Sequence, residues 1–115
     1  MIRTTPFHER TAALNETHLW SHWSGHLAAD RYQMSDKFEY FAVRNAAGLF
    51  DSSPLYKYRI TGADATRLLD RVVTRDVPKA RPGQVLYTSW CDGHGKVIDD
   101  GTICRLGEQD WRLTS

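Results

Sequence analysis

The sequence has no long apolar run, few cysteines and almost no excess of charge of either sign. No apolar run exceeds five residues, so we expect no membrane-spanning helix and no signal peptide. Two cysteines are too few for a disulfide scaffold. Fifteen Lys and Arg against fourteen Asp and Glu leave a net charge of +1, which offers no electrostatic footprint for nucleic acid or an anionic membrane. These absences predict a cytoplasmic protein with neither nucleic acid nor membrane as a partner.

The composition supplies enough apolar material for one modest domain. Apolar residues make up 41% and aromatic residues 11% of the 115 residues. A folded chain of this length buries about two-thirds of the surface that its unfolded form exposes. This composition is unlike that of a disordered chain, so we expect the sequence to fold.

Helical and two-residue periods alternate along the chain on short connections. Residues 15–34 show no dominant period and are predicted to be irregular, with at most a strand. Helices are predicted over 6–14, from Asp36 to a C-cap at Gly48, and over 65–73; strands are predicted over 55–61, 84–91, 96–106 and from 111 onward. This mixture predicts an α+β fold, with an antiparallel sheet and flanking helices.

Two pairs have the spacing of a capping box, and one strand has a clear alternation. Asp36 with Glu39, and Thr61 with Asp64, carry the offset at which the two side chains cap a helix start. In the strand over 55–61, residues 56, 58 and 60 are apolar or aromatic and the residues between them are basic, which predicts a half-buried strand.

The hairpin over residues 84–106 brings a phenol and a carboxylate together. A two-residue loop at Gly93-His94, or a four-residue loop over 92–95, would place Tyr87 directly opposite Asp100. Such a pair can hold a polar ligand, since the carboxylate accepts a proton or hydrogen bond and the phenol donates one or stacks.

Asp99 and Asp100 follow one another in the same predicted strand. Neighbouring strand residues point to opposite faces, so we expect one of the two carboxylates to lie inside. The alternative is a strand bend marked by Gly101, with one Asp exposed and no functional role.

Histidine and cysteine spacings give no convincing metal site. His18, His22 and His26 would share one stripe of a helix, but Gly25 and the absence of caps argue against a helix there. We therefore predict loop histidines and no metal. A Cys91–Cys104 disulfide is also excluded, because the predicted register separates the two residues by roughly 26 Å.

Several motifs, in the same order and over nearly the whole chain, resemble the aminomethyltransferase family. This is the family of the glycine cleavage system T-protein, with folate-dependent demethylases among its relatives. The motifs are Thr5-Pro6-Phe7, the FAVRNAAGLFD run at 41–51, the ITGADA run at 60–65, and the VIDD run at 97–100.

The resemblance implies tetrahydrofolate as cofactor and one-carbon transfer as activity. In this family the second Asp of the VIDD run hydrogen-bonds the folate, which points to Asp100 as the catalytic and folate-binding residue. A Tyr on the preceding strand lines the pterin pocket, and Tyr87 matches it. A carboxylate beside a folate amine can orient it, accept its proton or stabilise a cation.

The chain departs from the family's usual pattern after Asp51. The T-protein carries V-S-H-M there, and its Met contacts the pterin; here Ser52-Ser53-Pro54-Leu55 follows. Leu55 can still supply apolar contact to folate. The missing His points away from the glycine cleavage enzyme itself and towards a relative acting on another methylated or aminomethyl small molecule.

The chain is also shorter than family members, which have several hundred residues. We interpret 1–115 as an N-terminal fragment of a folate-binding domain, with 1–52 as a first segment and 53–115 as the start of the second subdomain. The predicted partner is the remainder of the fold, in the same or another chain, and we expect the 115-residue chain alone to be inactive. The alternative function is a non-catalytic folate-binding or protein-interaction module.

Overall fold

A computed structural model describes all 115 residues, which form two compact units, Met1–Leu55 and Tyr56–Ser115. None of its helices is long and apolar enough to cross a membrane. The elements are α1 (His8–Leu14), β1 (Trp20–Trp23), β2 (His26–Ala29), α2 (Asp36–Asn45), β3 (Lys57–Thr61), α3 (Ala65–Val72), β4 (Val85–Cys91), β5 (Val97–Gly107) and β6 (Asp110–Thr114).

A short hairpin is the centre of the first unit. Strands β1 and β2 pair antiparallel, from Trp20 with Ala29 to Trp23 with His26. Ser24 and Gly25 form the two-residue turn, both with positive φ (46° and 83°), as a turn matching the strand twist requires. Residues 15–34, predicted to be irregular, therefore contain two paired strands.

Helix α2 begins where the sequence predicted but ends earlier and is capped differently. It stops at Asn45 and its C-cap is Ala46, so the predicted cap at Gly48 is wrong. The predicted capping box is also absent. Glu39 instead accepts hydrogen bonds from the backbone N–H groups of Tyr32 and Gln33, at 2.7 and 3.0 Å. Its carboxylate thus fixes the preceding loop.

The second unit is a four-stranded antiparallel sheet in the order β3-β6-β5-β4, with α3 packed on one face. Along each strand the side chains alternate between this inner face and an exposed outer face. Trp111 is fully buried on the inner face, and its Nε1–H donates to Thr66 Oγ1 at 3.0 Å. The core residues are Ala65, Leu69, Val73, Val77, Ala80, Leu86, Ile103, Trp111 and Leu113.

Two expectations for the start of this unit are wrong. Strand β3 is mostly exposed: Tyr58 is 49% exposed, and only Ile60 packs against the core. Asp64 precedes α3 without capping it through its side chain, and forms an ion pair with Arg67 at 3.1 Å instead. Burial of Ala65 and Leu69 fixes α3 without a capping box.

Candidate functional site

Between β4 and β5 the hairpin loop consists of the three residues 93–95, whereas the sequence predicted a loop of two or four residues. The backbone N–H of Asp92 donates to the Lys96 carbonyl at 2.8 Å, so these two residues close the hairpin. Gly95 has a φ of 78°, the left-handed conformation that three-residue hairpin loops require. The Asp92 carboxylate accepts hydrogen bonds from the N–H groups of His94 and Lys96. This loop shifts the pairing by one residue from the predicted register.

A β-bulge shifts the pairing by a second residue. Cys91 pairs with Val97, whereas Trp90 pairs with Asp99, so β5 contains one extra residue at this point. Beyond the bulge, Tyr87 lies opposite Thr102, and Asp100 lies opposite Ser89. The predicted direct pairing of Tyr87 with Asp100 is therefore wrong by two residues.

Tyr87 and Asp100 nevertheless meet on the outer face of the sheet. A shift of two residues is one full side-chain period, so both residues keep the same face and become diagonal neighbours. The Tyr87 hydroxyl donates a hydrogen bond to Asp100 Oδ2. This bond and the nearby negative charge raise the pKa of the Tyr87 phenol above its ordinary value of 10.0. Tyr87 is thus held as a hydrogen-bond donor at neutral pH.

Both Asp99 and Asp100 are exposed, contrary to the expectation that one lies inside. Thr114 of β6 pairs with Thr102 of β5, and Asp99 and Asp100 pair with Trp90 and Ser89 of β4. Asp99 Oδ1 accepts a hydrogen bond from the backbone N–H of Asp100 at 2.8 Å.

Gly101 is a structural requirement of the site and not only the strand bend that its position in the sequence indicated. A Cβ at this position would overlap the carbonyl oxygen of Thr114. The absence of a side chain lets β6 approach β5 immediately after Asp100. A glycine inside a predicted strand is the signal that could have indicated this close approach.

Leu55, the third residue predicted to contact folate, is the last residue of the first unit. It is half-buried, follows the buried Pro54, and its backbone N–H donates to the Ser52 carbonyl at 3.2 Å. Tyr87 and Asp100 both belong to the second unit, where they form the contact described above.

The histidines and cysteines are placed apart. His22 Nε2 accepts a hydrogen bond from the Gly25 N–H at 3.1 Å, and His26 Nδ1 contacts the Ser24 carbonyl oxygen at 3.0 Å. No group of three His, Cys, Asp or Glu side chains is arranged to hold a metal ion. Cys91 and Cys104 are free thiols.

The hydrogen bond between Tyr87 and Asp100 predicts a measurable titration effect. Replacing Asp100 by asparagine removes the negative charge, so the pKa of Tyr87 should fall towards its ordinary value of 10.0. Because the raised pKa favours the protonated folded state, its contribution to stability is present below the ordinary pKa and is lost as the pH rises through the folded value. Phenolate absorbance, taken as the difference from Tyr87→Phe, measures the shift; an unchanged midpoint would show that the bond is absent.

Comparison with known proteins assigns the chain to a family. The family described as the GCVT N-terminal domain matches residues 6–115. This chain belongs to that family. The match confirms the resemblance to the N-terminal portion of the aminomethyltransferase family, which the motifs at 41–51 and 97–100 indicated.

Curated relatives of this GCVT N-terminal domain include proteins named for different activities. A trimethylamine-oxide aldolase of Ruegeria pomeroyi is 35% identical over 113 residues, covering 97% of this chain and 14% of that protein. An aminomethyltransferase of Saccharopolyspora erythraea is 38% identical over 113 residues, covering 98% and 30%. One of Bacillus cytotoxicus is 46% identical over 79 residues, covering 69% and 22%. The chain thus spans less than a third of the length of these relatives.

A solved structure confirms the fold of this GCVT N-terminal domain. The glycine cleavage system aminomethyltransferase T from Bartonella henselae superposes with a TM-score of 0.88, covering 99% of this chain and 31% of that one, at 23% identity. At 23% sequence identity, this superposition is evidence for the fold alone. The predicted α+β fold with an antiparallel sheet is confirmed.

Proposed function

We propose that this GCVT N-terminal domain is the N-terminal part of an enzyme that transfers an aminomethyl or methyl group to tetrahydrofolate. The contact between the Tyr87 hydroxyl and the Asp100 carboxylate, on an exposed sheet face, is the observation that carries this proposal. Family membership supports it, since the aminomethyltransferases among the relatives are named for this kind of group.

The hydrogen-bonding atoms of this pair fit the ring system of a folate. An ionised carboxylate accepts hydrogen bonds from ring N–H and amino groups, and Asp100 has two oxygens for this purpose. Tyr87 occupies one of them and so fixes the rotation of the carboxylate. Its aromatic ring, 65% exposed, offers a flat face for stacking. When bound, tetrahydrofolate supplies the nitrogens that take up the one-carbon unit.

In this proposal each residue of the chain has a distinct role. Asp100 orients the folate nitrogen and receives or balances its proton at a carboxylate oxygen. Tyr87 stays protonated and holds Asp100 in the required rotamer. The remainder of the fold, in the same or a partner chain, supplies the opposite wall of the pocket, because Tyr87 and Asp100 are both exposed in this chain.

For the one-carbon donor we propose a methylated or aminomethyl small molecule. One relative is named a trimethylamine-oxide aldolase, so a methylated nitrogen compound is a donor class that a member of this lineage handles. The replacement of the expected His and Met by Pro54 and Leu55 is consistent with a donor other than that of the glycine cleavage enzyme.

Binding of tetrahydrofolate to the chain together with the remainder of the fold tests the site. Asp100→Ala removes both acceptor oxygens and should weaken binding by about tenfold to a hundredfold, since hydrogen bonds to a charged group are among the stronger ones. Asp99→Asn, on the opposite strand face, keeps the acceptor for the Asp100 N–H and should bind nearly as the unaltered protein does. Calorimetric titration measures both, and unchanged binding by Asp100→Ala would refute the proposed site.

The exposure of Tyr87 and Asp100 favours one second candidate, a folate-binding module without transfer activity. A pair that binds a ligand at an open face does not need to act on it. Tetrahydrofolate binding without transfer from any methylated or aminomethyl donor would support this alternative over the enzyme.

A further inference from the structure

The outer face of the second unit carries two arginines in an unfavourable arrangement. Arg59 on β3 lies directly opposite Arg112 on β6. Like charges in directly opposed positions destabilise a sheet. Both side chains are exposed, so neither is held in place by burial.

Only one of the two arginines forms an ion pair within the sheet. Asp110 accepts two hydrogen bonds from Arg59, at 3.1 Å from Nε and 2.9 Å from Nη2. This bidentate contact uses both carboxylate oxygens of Asp110. Arg112 forms no ion pair with any carboxylate of the chain. The Asp110 carboxylate also attracts Arg112 electrostatically but forms no hydrogen bond with it, so the N–H donors of this guanidinium are open to an external anion.

Arg112 lies on the same sheet face as the pair formed by Tyr87 and Asp100. Arg112 is opposite Cys104, which is four residues along β5 from Asp100. The Cα atoms of Arg112 and Asp100 are therefore about 14 Å apart. The outer-face residues between them include Thr102 and Thr114, whose side chains are small. The outer face thus has a carboxylate and a phenol at one end, small side chains in the middle, and a guanidinium at the other end.

We propose that Arg112, with Arg59 beside it, binds the carboxylate end of the ligand whose ring end is held by Tyr87 and Asp100. The inference rests on the proposed function, because tetrahydrofolate carries a pterin at one end and glutamate carboxylates at the other. A guanidinium matches a carboxylate with two parallel hydrogen bonds, and Arg112 has its donors free for them because the Asp110 carboxylate is hydrogen-bonded by Arg59. The outer face therefore selects folates that carry glutamate.

Three probes separate the two ends of the ligand: tetrahydropteroate, which lacks the glutamate, tetrahydrofolate, and its triglutamate. Binding is measured by calorimetry on the chain together with the remainder of the fold. The unaltered protein should bind tetrahydrofolate about threefold to tenfold more tightly than tetrahydropteroate, and the triglutamate more tightly still. The preference should shrink as salt is raised, because the guanidinium is exposed.

Arg112→Gln should abolish this preference while leaving tetrahydropteroate binding unchanged. Arg112→Lys should retain part of it, since a lysine keeps the charge but not the two parallel hydrogen bonds. Arg71→Gln on α3 is the matched control, because it removes the same charge from an exposed helix position away from the outer face; it should retain the preference.

The outcomes distinguish this inference from the proposed function. If the unaltered protein binds all three probes equally, the role of Arg112 is refuted and the folate site stands. If Arg112→Gln weakens all three probes equally, Arg112 acts on the fold and the inference is wrong. If none of the probes binds, the proposed function and the inference fail together.

Discussion

Replacing Asp100 by asparagine is expected to lower the rate of one-carbon transfer by about two to four powers of ten. Asparagine keeps the shape of the side chain and one acceptor oxygen, so tetrahydrofolate should still bind, although less tightly. The variant loses the group that receives or balances the proton. The loss should therefore appear in kcat, measured with the donor and tetrahydrofolate both saturating, more than in KM.

Asp99→Asn is the internal control for this experiment. It carries the same change of charge one residue away, on the opposite face of β5, and it keeps the Oδ1 acceptor for the Asp100 N–H. Its turnover should stay close to that of the unaltered protein. Loss of turnover in Asp99→Asn with an active Asp100→Asn would show that the wrong carboxylate has been assigned. Two fully active variants would show that neither carboxylate takes part in the transfer, whereas no measurable turnover even in the unaltered protein would favour the non-catalytic alternative.

Replacing Gly101 by alanine is expected to destabilise the second unit by about 3 kcal/mol. The added Cβ would meet the carbonyl oxygen of Thr114, which belongs to the backbone and cannot rotate away. The end of β6 would have to separate from β5 next to Asp100. Urea denaturation monitored by the fluorescence of the buried Trp111 measures the change in the free energy of unfolding.

Gly107→Ala provides the comparison on the same strand. A Cβ at Gly107 would lie 3.5 Å from the Cβ of Asp110, an ordinary contact distance. We expect its free energy of unfolding to change by no more than about 0.5 kcal/mol. Equal effects at the two glycines would mean that the approach of Thr114 to Gly101 is unimportant.

Elements with a clear local signal could be predicted from the sequence, and pairings that depend on other elements could not. Helix α3 and strands β4 to β6 have periodic apolar residues and strong turn signals, and all four were predicted nearly at their observed limits. The hairpin of β1 and β2 was missed, because four-residue strands are too short to establish a period. Burial of Tyr58 was wrongly expected, since alternation shows which side chains share a face but not whether that face is covered.

In the candidate site, too, the features set by local sequence could be predicted, and those set by strand pairing could not. The loop sequence at 92–95 allows several turn lengths, and the bulge after Val97 on β5 has no distinct residue pattern, so the predicted register was two residues wrong. Tyr87 and Asp100 were still placed on one face, because the error equals one side-chain period. Arg112 was not recognised, since its position beside Arg59 depends on a pairing between strands that are far apart in the chain.

The β-bulge between the Cys91–Val97 and Trp90–Asp99 pairs also controls which carboxylate the outer face presents. Compared with a hairpin that has a two-residue loop, the three-residue loop and the bulge each shift the pairing of β5 with β4 by one residue. Because the two shifts add up to an even number, Asp100 stays on the same face as Tyr87. A single-residue insertion or deletion in this hairpin would turn Asp100 to the inner face and bring Asp99 outward. Insertions or deletions in this hairpin therefore preserve the site only when they change its length by an even number of residues. This requirement on length, and not the residue types alone, constrains how the hairpin can vary.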